Sequence, residues 1–398
     1  MSTQVVDPEA FRRLFPALTG SIHLASCSLG ARSTALDHAL GQMLAAMAQH
    51  GAPWPMFEAQ HALARRRFAA LVGADVDQVA VLPSVSVAAA QVVSTLTWWR
   101  RPRLITSHAE FPGVYRAWMA QRMRGAEIVV VGDSTGRVQP TQILAAIDDR
   151  TALVSIPAVT FRDGVRLPVA ALTTAAHKAG ARVFVDASQA VGVEPVDVAM
   201  LRCDFLATGV SKYLLGLPGV AFLYARHADA GDRPPQLTSW LARTDPFSMG
   251  GDPYVDAAED ARRFEVGSPA VPALYAANAG LGLIAQLDLH QVRRHVTDLF
   301  SYAVDQLADM GERLRLPADA AARGAHVALI DPAPVALARW LSQRQVAIAP
   351  RGDVARLALH LYNTRSDIDA ACVEIRRYRR RTGTDRMPAM ALAGGRHA

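Results

Sequence analysis

Lysine is nearly missing from this chain: of 42 lysines and arginines in 398 residues, only Lys178 and Lys212 are lysine. Arginine does not surrender its proton in a protein, whereas a lysine amine does and can then attack a carbonyl. Covalent amine chemistry is therefore excluded from every cationic position but two. Cysteine is also scarce, with Cys27, Cys203 and Cys372 far apart and no Cys-x-x-Cys pair, which speaks against a disulfide framework and a thiolate zinc site. A reducing compartment follows, and the protein reads as cytoplasmic. No stretch approaches the ~20 apolar residues of a membrane span, and residues 1–15 carry charges where a secretion signal would carry an apolar run.

What is present describes a globular protein with 51% apolar and 20% charged residues, long enough for one large domain and a smaller one. The net charge of +6 comes from arginines spread along the sequence, without the stacking aromatics of a nucleic-acid binder, so neither nucleic acid nor membrane is expected as a partner. The densest cluster, residues 376–381, reads as a solvated helix end whose cations suit the helix dipole.

Apolar spacing of three and four predicts helices over 33–50 and 56–72. From Val79 onward, strands at 79–83, 103–107, 127–131, 152–156, 182–185, 205–208 and 220–224 alternate with helices, a pattern that implies a mainly parallel sheet covered on both faces. Beyond Gly267 come helices at 272–287 and 289–307, strand candidates at 326–330, 346–349 and 357–361, and a closing helix from Asp367.

Open α/β sheets bind ligands beyond the carboxyl ends of their strands. Four such points are chemically coherent. Ser84-Val85-Ser86 opens a helix, where hydroxyls and free N–H groups suit a phosphate or simply cap the helix. The segment from His108 to Pro112 offers His108 or Phe111 to lie on a heteroaromatic ring. Asp186 ends an apolar strand and needs a cation, such as a pyridinium nitrogen, or a helix N-terminus to cap; Gln189 offers a donor for a ring oxygen. Lys212, with Ser211 beside it, sits between an apolar strand and a turn rich in glycine and proline. Phosphate cradle, ring stack, acid and Schiff-base lysine together describe a pyridoxal 5′-phosphate site.

On these residues the sequence resembles the class V aminotransferase family of fold type I pyridoxal-phosphate enzymes, in the branch of kynureninases, cysteine desulfurases and isopenicillin-N epimerase. The resemblance runs from about Ile22 to about Ala371. It implies an α/β fold in which a large domain with a mainly parallel seven-stranded sheet, 21–285, is joined to a smaller α+β domain, 286–385. Residues 1–20 would pack with the small domain, and 386–398 would form a mobile tail. By the same resemblance Asp186 pairs with the pyridine nitrogen, Gln189 contacts the ring hydroxyl, and Lys212 binds the cofactor and moves the α-proton. Phe111 stacks on the ring, while Ser84, Val85, Ser86 and Ser211 hold the phosphate. Residues 263–269 are similar to the family segment whose hydroxyl, here Ser268, reaches the phosphate of the partner subunit, which implies a homodimer with composite sites. Arg356 resembles the arginine that grips the substrate α-carboxylate, a task suited to its planar fork.

Departures from the family narrow the reaction. Residues 342–355 lack the persulfide-forming cysteine of desulfurases; Cys203 and Cys372 read as structural, and Cys27 lies in the N-terminal loop out of that pattern. Kynureninase likeness is strong at 211–219 and 240–269, including the motif Pro-Phe-Ser-Met at 246–249. Kynureninases, however, usually carry histidine at Gln189 and tyrosine at Ser211, and Ala25-Ser26 replaces the asparagine-containing N-terminal loop usual in the family, which leaves substrate recognition open. The expected activity is that of a lyase acting on an amino acid or its conjugate, breaking a C–S or C–C bond beyond the α-carbon by way of an α-carbanion, with aminotransferase or epimerase as the alternative. Intact Lys212, Asp186 and Arg356 argue against a non-catalytic scaffold.

Overall fold

The computed structural model describes residues 7–227, 233–248 and 256–383; Met249 and the segment 386–398 lie outside them. The fold begins with α1 (Pro8–Arg12), whose N–H groups are capped by Asp7, then passes through β1 (Ile22–Leu24) into α2 (Thr34–His50) and α3 (Trp54–Val72). The alternating stretch follows as β2 (Val79–Leu82), α4 (Val85–Ser94), β3 (Arg103–Ser107), α5 (Pro112–Met119), β4 (Glu127–Val131) and α6 (Pro140–Ala146). It continues as β5 (Thr151–Pro157), α7 (Val169–Lys178), β6 (Arg182–Asp186), α8 (Val198–Leu201), β7 (Phe205–Gly209) and β8 (Ala221–Ala225).

These strands form a seven-stranded sheet in the order β2-β8-β7-β6-β5-β3-β4. Only β8 runs against its neighbours; the other pairings are parallel. Strands β2, β5 and β8 are buried at every residue, as a sheet covered by helices on both faces requires. Because all strands but β8 point the same way, the residues after β2, β3, β6 and β7 leave from a single sheet edge. That edge carries Ser84, Phe111, Asp186 and Lys212.

The remaining elements are α9 (Val271–Ile284), α10 (Leu289–Asp309), β9 (Leu314–Arg315), β10 (His326–Ile330), α11 (Pro334–Ser342), β11 (Val346–Arg351), β12 (Val354–Ala358) and α12 (Arg365–Thr382). A second sheet has the order β1-β11-β12-β10-β9. Strand β1 thus belongs to the C-terminal sheet by its hydrogen bonds, Ile22 to Leu24 pairing with Val346 to Ile348, although it falls on the large-domain side of a boundary at residue 21. Phe11 and Phe15 pack the N-terminal segment on Tyr362, in the turn between β12 and α12, and Arg12 makes a two-pronged pair with Asp367 of α12 at 2.7 and 3.0 Å.

Two expectations are corrected, and two short helices are added. The last strand is 354–358, not 357–361: beyond Ala358 the backbone turns, with Asn363 Oδ1 accepting from His360 N–H at 2.9 Å. Helices α6 and α11 escape the periodicity because they are only 7 and 9 residues long. The basic cluster of α12 is not wholly solvated, since Arg379 is buried in a double pair with Glu312 and Asp331.

Candidate active site

The loop after β7 holds Lys212 in place through its backbone. Gly30 N–H donates to Ser211 O at 2.8 Å and His360 Nε2–H donates to Tyr213 O at 3.1 Å. His360 Nδ1 accepts from Leu361 N–H at 2.8 Å, so both ring nitrogens are committed and the ring must be neutral; burial lowers its pKa to about 4 in agreement. The loop is also clamped sterically. A Cβ at Gly280 would lie 2.0 Å from Leu214 O, and one at Gly30 would lie 2.6 Å from Lys212 O, so both positions require glycine. Leu215 takes a left-handed φ of 60°, which a branched residue adopts only when its surroundings hold it there.

Lys212 is half-buried, whereas Lys178, the other lysine, is exposed at the end of α7. Desolvation lowers the Lys212 pKa below that of an ordinary amine, and neighbouring Asp186 only partly offsets the effect. The neutral, nucleophilic amine is thereby favoured. Lys212 Nζ lies 5.3 Å from the centre of the Phe111 ring. Phe111 is 37% exposed and is not core, while His108 is exposed and stacks with Tyr115. Of the two ring-stacking candidates, then, the structure places Phe111 beside the lysine.

Asp186 is buried, and Oδ1 accepts from Ser188 N–H at 2.9 Å. Gln189 departs from its expected role as a donor: Nε2 already donates to Cys27 O at 2.9 Å, and the amide oxygen is left buried without a partner. Ser84 caps α4 by accepting from Val87 N–H at 3.2 Å, so the capping reading of this serine holds. The N–H groups of Val85 and Ser86 lie in the first turn, outside the ladder of the helix. A Cβ at Gly113 would meet Ser86 Oγ at 2.2 Å, so the start of α5 closes on this hydroxyl. Ser211 is half-buried beside Lys212. Ser268 stands apart, exposed and without a side-chain hydrogen bond among the described residues.

Arg356 lies inside β12 rather than at its edge and is 1% exposed. Nε donates to Ala349 O at 3.1 Å and Nη1 to Phe161 O at 2.6 Å, while Nη2 is buried without a partner. A guanidinium fork with one open prong is able to accept a carboxylate. Four residues here escaped sequence reasoning. Arg351, five positions before Arg356, interacts electrostatically with Arg356 and Cys27 and has no acidic partner within 4 Å among the described residues. His326, on the Arg356 face of the small sheet, is fully buried, and burial pushes its pKa well down. Glu110 and the Ser155 that binds it complete the group. Nothing local marks any of them, although Glu110 immediately precedes Phe111. Cys27 sits near Arg356 and Lys212, but burial raises its thiol pKa.

The aminotransferase class-V family model matches residues 40–371. The uncharacterized aminotransferase YcbU of Bacillus subtilis (strain 168) is 35% identical over 372 residues, covering 92% of this chain and 97% of that protein. Kynureninase of Shouchella clausii (strain KSM-K16) is 27% identical over 387 residues, covering 91% and 90%. Among solved structures, the apo cysteine desulfurase of Thermococcus onnurineus NA1 shares the fold with a TM-score of 0.82 at 19% identity, covering 94% of this chain and 99% of that one.

Proposed function

The chain belongs to the aminotransferase class-V family of fold type I pyridoxal 5′-phosphate enzymes, and on that premise we propose a lyase that acts on an amino acid or amino-acid conjugate and breaks a C–S or C–C bond beyond its α-carbon. The observation that carries the reading is a desolvated lysine amine beside a buried aspartate, with a buried arginine nearby that has one prong unmet.

The donor set fits the cofactor. Asp186 suits the pyridine nitrogen, and the orphaned oxygen of Gln189 suits a ring hydroxyl that donates to it. Phe111 would cover the ring. The N–H groups opening α4, with Ser84, Val85, Ser86 and Ser211, would hold the phosphate. Exposed Ser268 suits the phosphate of a second subunit, which supports a homodimer with composite sites.

When bound, the cofactor supplies an electron sink for a carbanion at the substrate α-carbon. The protein's own part is positioning and proton transfer. Arg356 Nη2 takes the α-carboxylate, with Arg351 as a second cation at the same place. Lys212, as a neutral amine, accepts the proton from the α-carbon and returns it during product formation. Cys27 is held as a thiol, and residues 342–355 contain no cysteine, so sulfur transfer through a protein persulfide is not part of the proposal.

Aminotransfer is the second reading, favoured by the name of the relative at 35% identity. Epimerisation would use the same proton-handling amine. The test is to titrate a panel of amino acids and S-conjugates into the cofactor-loaded protein and into Lys212→Ala, assaying keto acid, alanine and thiol. Thiol or alanine from the wild type supports the lyase; keto acid with a transferred amino group, or racemisation alone, replaces it.

A further inference from the structure

Glu110 has none of the roles above, yet it is more buried than Asp186, the carboxyl group that acts on it, at 2% exposure against 7%. It stands in the turn between β3 and α5. Its Oε2 accepts from Ser155 Oγ–H at 2.6 Å, and Ser155 Oγ accepts in turn from Trp118 Nε1–H at 3.0 Å. Trp118 is fully buried with its ring edge-on to Phe184, 5.1 Å between centres. Ser155 pairs with Phe184 across β5 and β6, and Asp186 lies two residues beyond Phe184, so all three share one face of the sheet.

The second oxygen of Glu110, Oε1, is buried without a hydrogen-bond partner. An ionised carboxylate in that position would carry a heavy desolvation cost, and a second carboxylate nearby adds repulsion. Burial first, and then the charge of Asp186, raise the Glu110 pKa to about 8, against the opposing pull of Ser155 Oγ–H and Phe111 N–H. Among the described residues, Asp186 from β6 is the charged group that acts on Glu110, and Asp186 acts in turn on Lys212 in the loop after β7, which also feels Arg356 and Arg351. Among the described residues no cation lies within 4 Å of Glu110.

We propose that Glu110 is a positioning residue, an un-ionised acid fixed by Ser155 behind Phe111, which leaves Asp186 as the single carboxylate charge available to a cationic ring nitrogen. Its purpose rests on the cofactor reading above; its charge state does not. If both carboxyls ionised, two buried like charges would compete for one counter-charge. A neutral Glu110 keeps the hydrogen-bonded frame from Trp118 to Phe111 and removes the competitor.

The experiment uses the full-length protein with and without pyridoxal phosphate. Thermal midpoints of wild type, Glu110→Gln and Ser155→Ala are followed from pH 5 to pH 9.5, and cofactor dissociation constants are measured over the same range by fluorescence quenching. Because folding raises the Glu110 pKa, its stabilising share is complete below the ordinary carboxylate range and is lost as pH rises toward about 8. Glu110→Gln keeps an acceptor for Ser155 but does not titrate, so its midpoint should rise relative to wild type as pH climbs to 9. Its cofactor affinity should also lose the pH dependence seen in wild type. Ser155→Ala removes a hydrogen bond that favours the ionised form and should move the wild-type transition to higher pH. Parallel stability curves for wild type and Glu110→Gln would overturn the proposal, as would an affinity loss of equal size at every pH. If wild type failed to bind the cofactor at all, the cofactor reading would fall, while the stability curves would still decide the charge state of Glu110.

Discussion

The surroundings of Lys212 and the cluster around Arg379 both bury charge, and they differ in what they leave unmet. Arg379 is 7% exposed and donates to Glu312 at 2.8 and 2.9 Å and to Asp331 at 2.5 Å, which also raise its pKa. Arg356, at 1% exposure, meets two backbone carbonyls and no carboxylate, and its third arm is empty. At the carboxyl edge of the large sheet, Gln189 Oε1 and Glu110 Oε1 are likewise buried without partners. A buried polar group left unpaired costs about 1–3 kcal/mol. Open polar atoms on Arg356 and Gln189 leave places a ligand could fill, whereas the Arg379 cluster is complete in itself.

The comparison is tested most severely at Lys212. Lys212→Ala should lower turnover by about 10²–10⁴-fold, the scale of a lost proton-transfer group. Lys212→Met should raise the thermal midpoint of the cofactor-free protein near neutral pH, because burial lowers the lysine pKa and the folded state disfavours its charge there. That gain should fade as pH approaches the ordinary lysine range, where the unfolded state also loses the proton. Arg379→Met should do the reverse, costing about 3–5 kcal/mol in urea unfolding by stranding Glu312 and Asp331, with turnover per folded molecule unchanged. Arg356→Lys keeps the charge and loses the fork. Its kcat/KM should fall about tenfold to a hundredfold, the equivalent of about 1.5–3 kcal/mol for charged hydrogen bonds, mainly through KM. Arg351→Ala should have the smallest effect, a rise in KM with kcat and thermal midpoint unchanged. A large stability loss in Arg356→Lys, or a loss of turnover in Arg379→Met, would erase the distinction between the two regions.

Much of the site is legible locally because its residues follow strands. Asp186 ends β6 as a charge after an apolar run, and Ser84 opens α4, positions visible in one dimension. Lys212 stands out because lysine is so rare in this protein. Arg379 cannot be distinguished from the arginines beside it by sequence, since its partners are 67 and 48 residues away. The same holds for Glu110, whose hydrogen-bond partner lies 45 residues on. Gln189 reads as a donor for a ligand, but its amide nitrogen is engaged by a carbonyl 162 residues earlier.

Strand alternation, the candidate residues at strand ends and the candidate amine follow from the order of residues alone, because each depends on composition or on neighbours within a strand, a turn or a helix. Which buried groups are satisfied and which are left open was decided only by the tertiary structure. Desolvation and hydrogen bonding depend on distant segments meeting: Cys27 against Gln189, Phe161 against Arg356, Ser155 against Glu110. The chemistry of the site is set by those meetings.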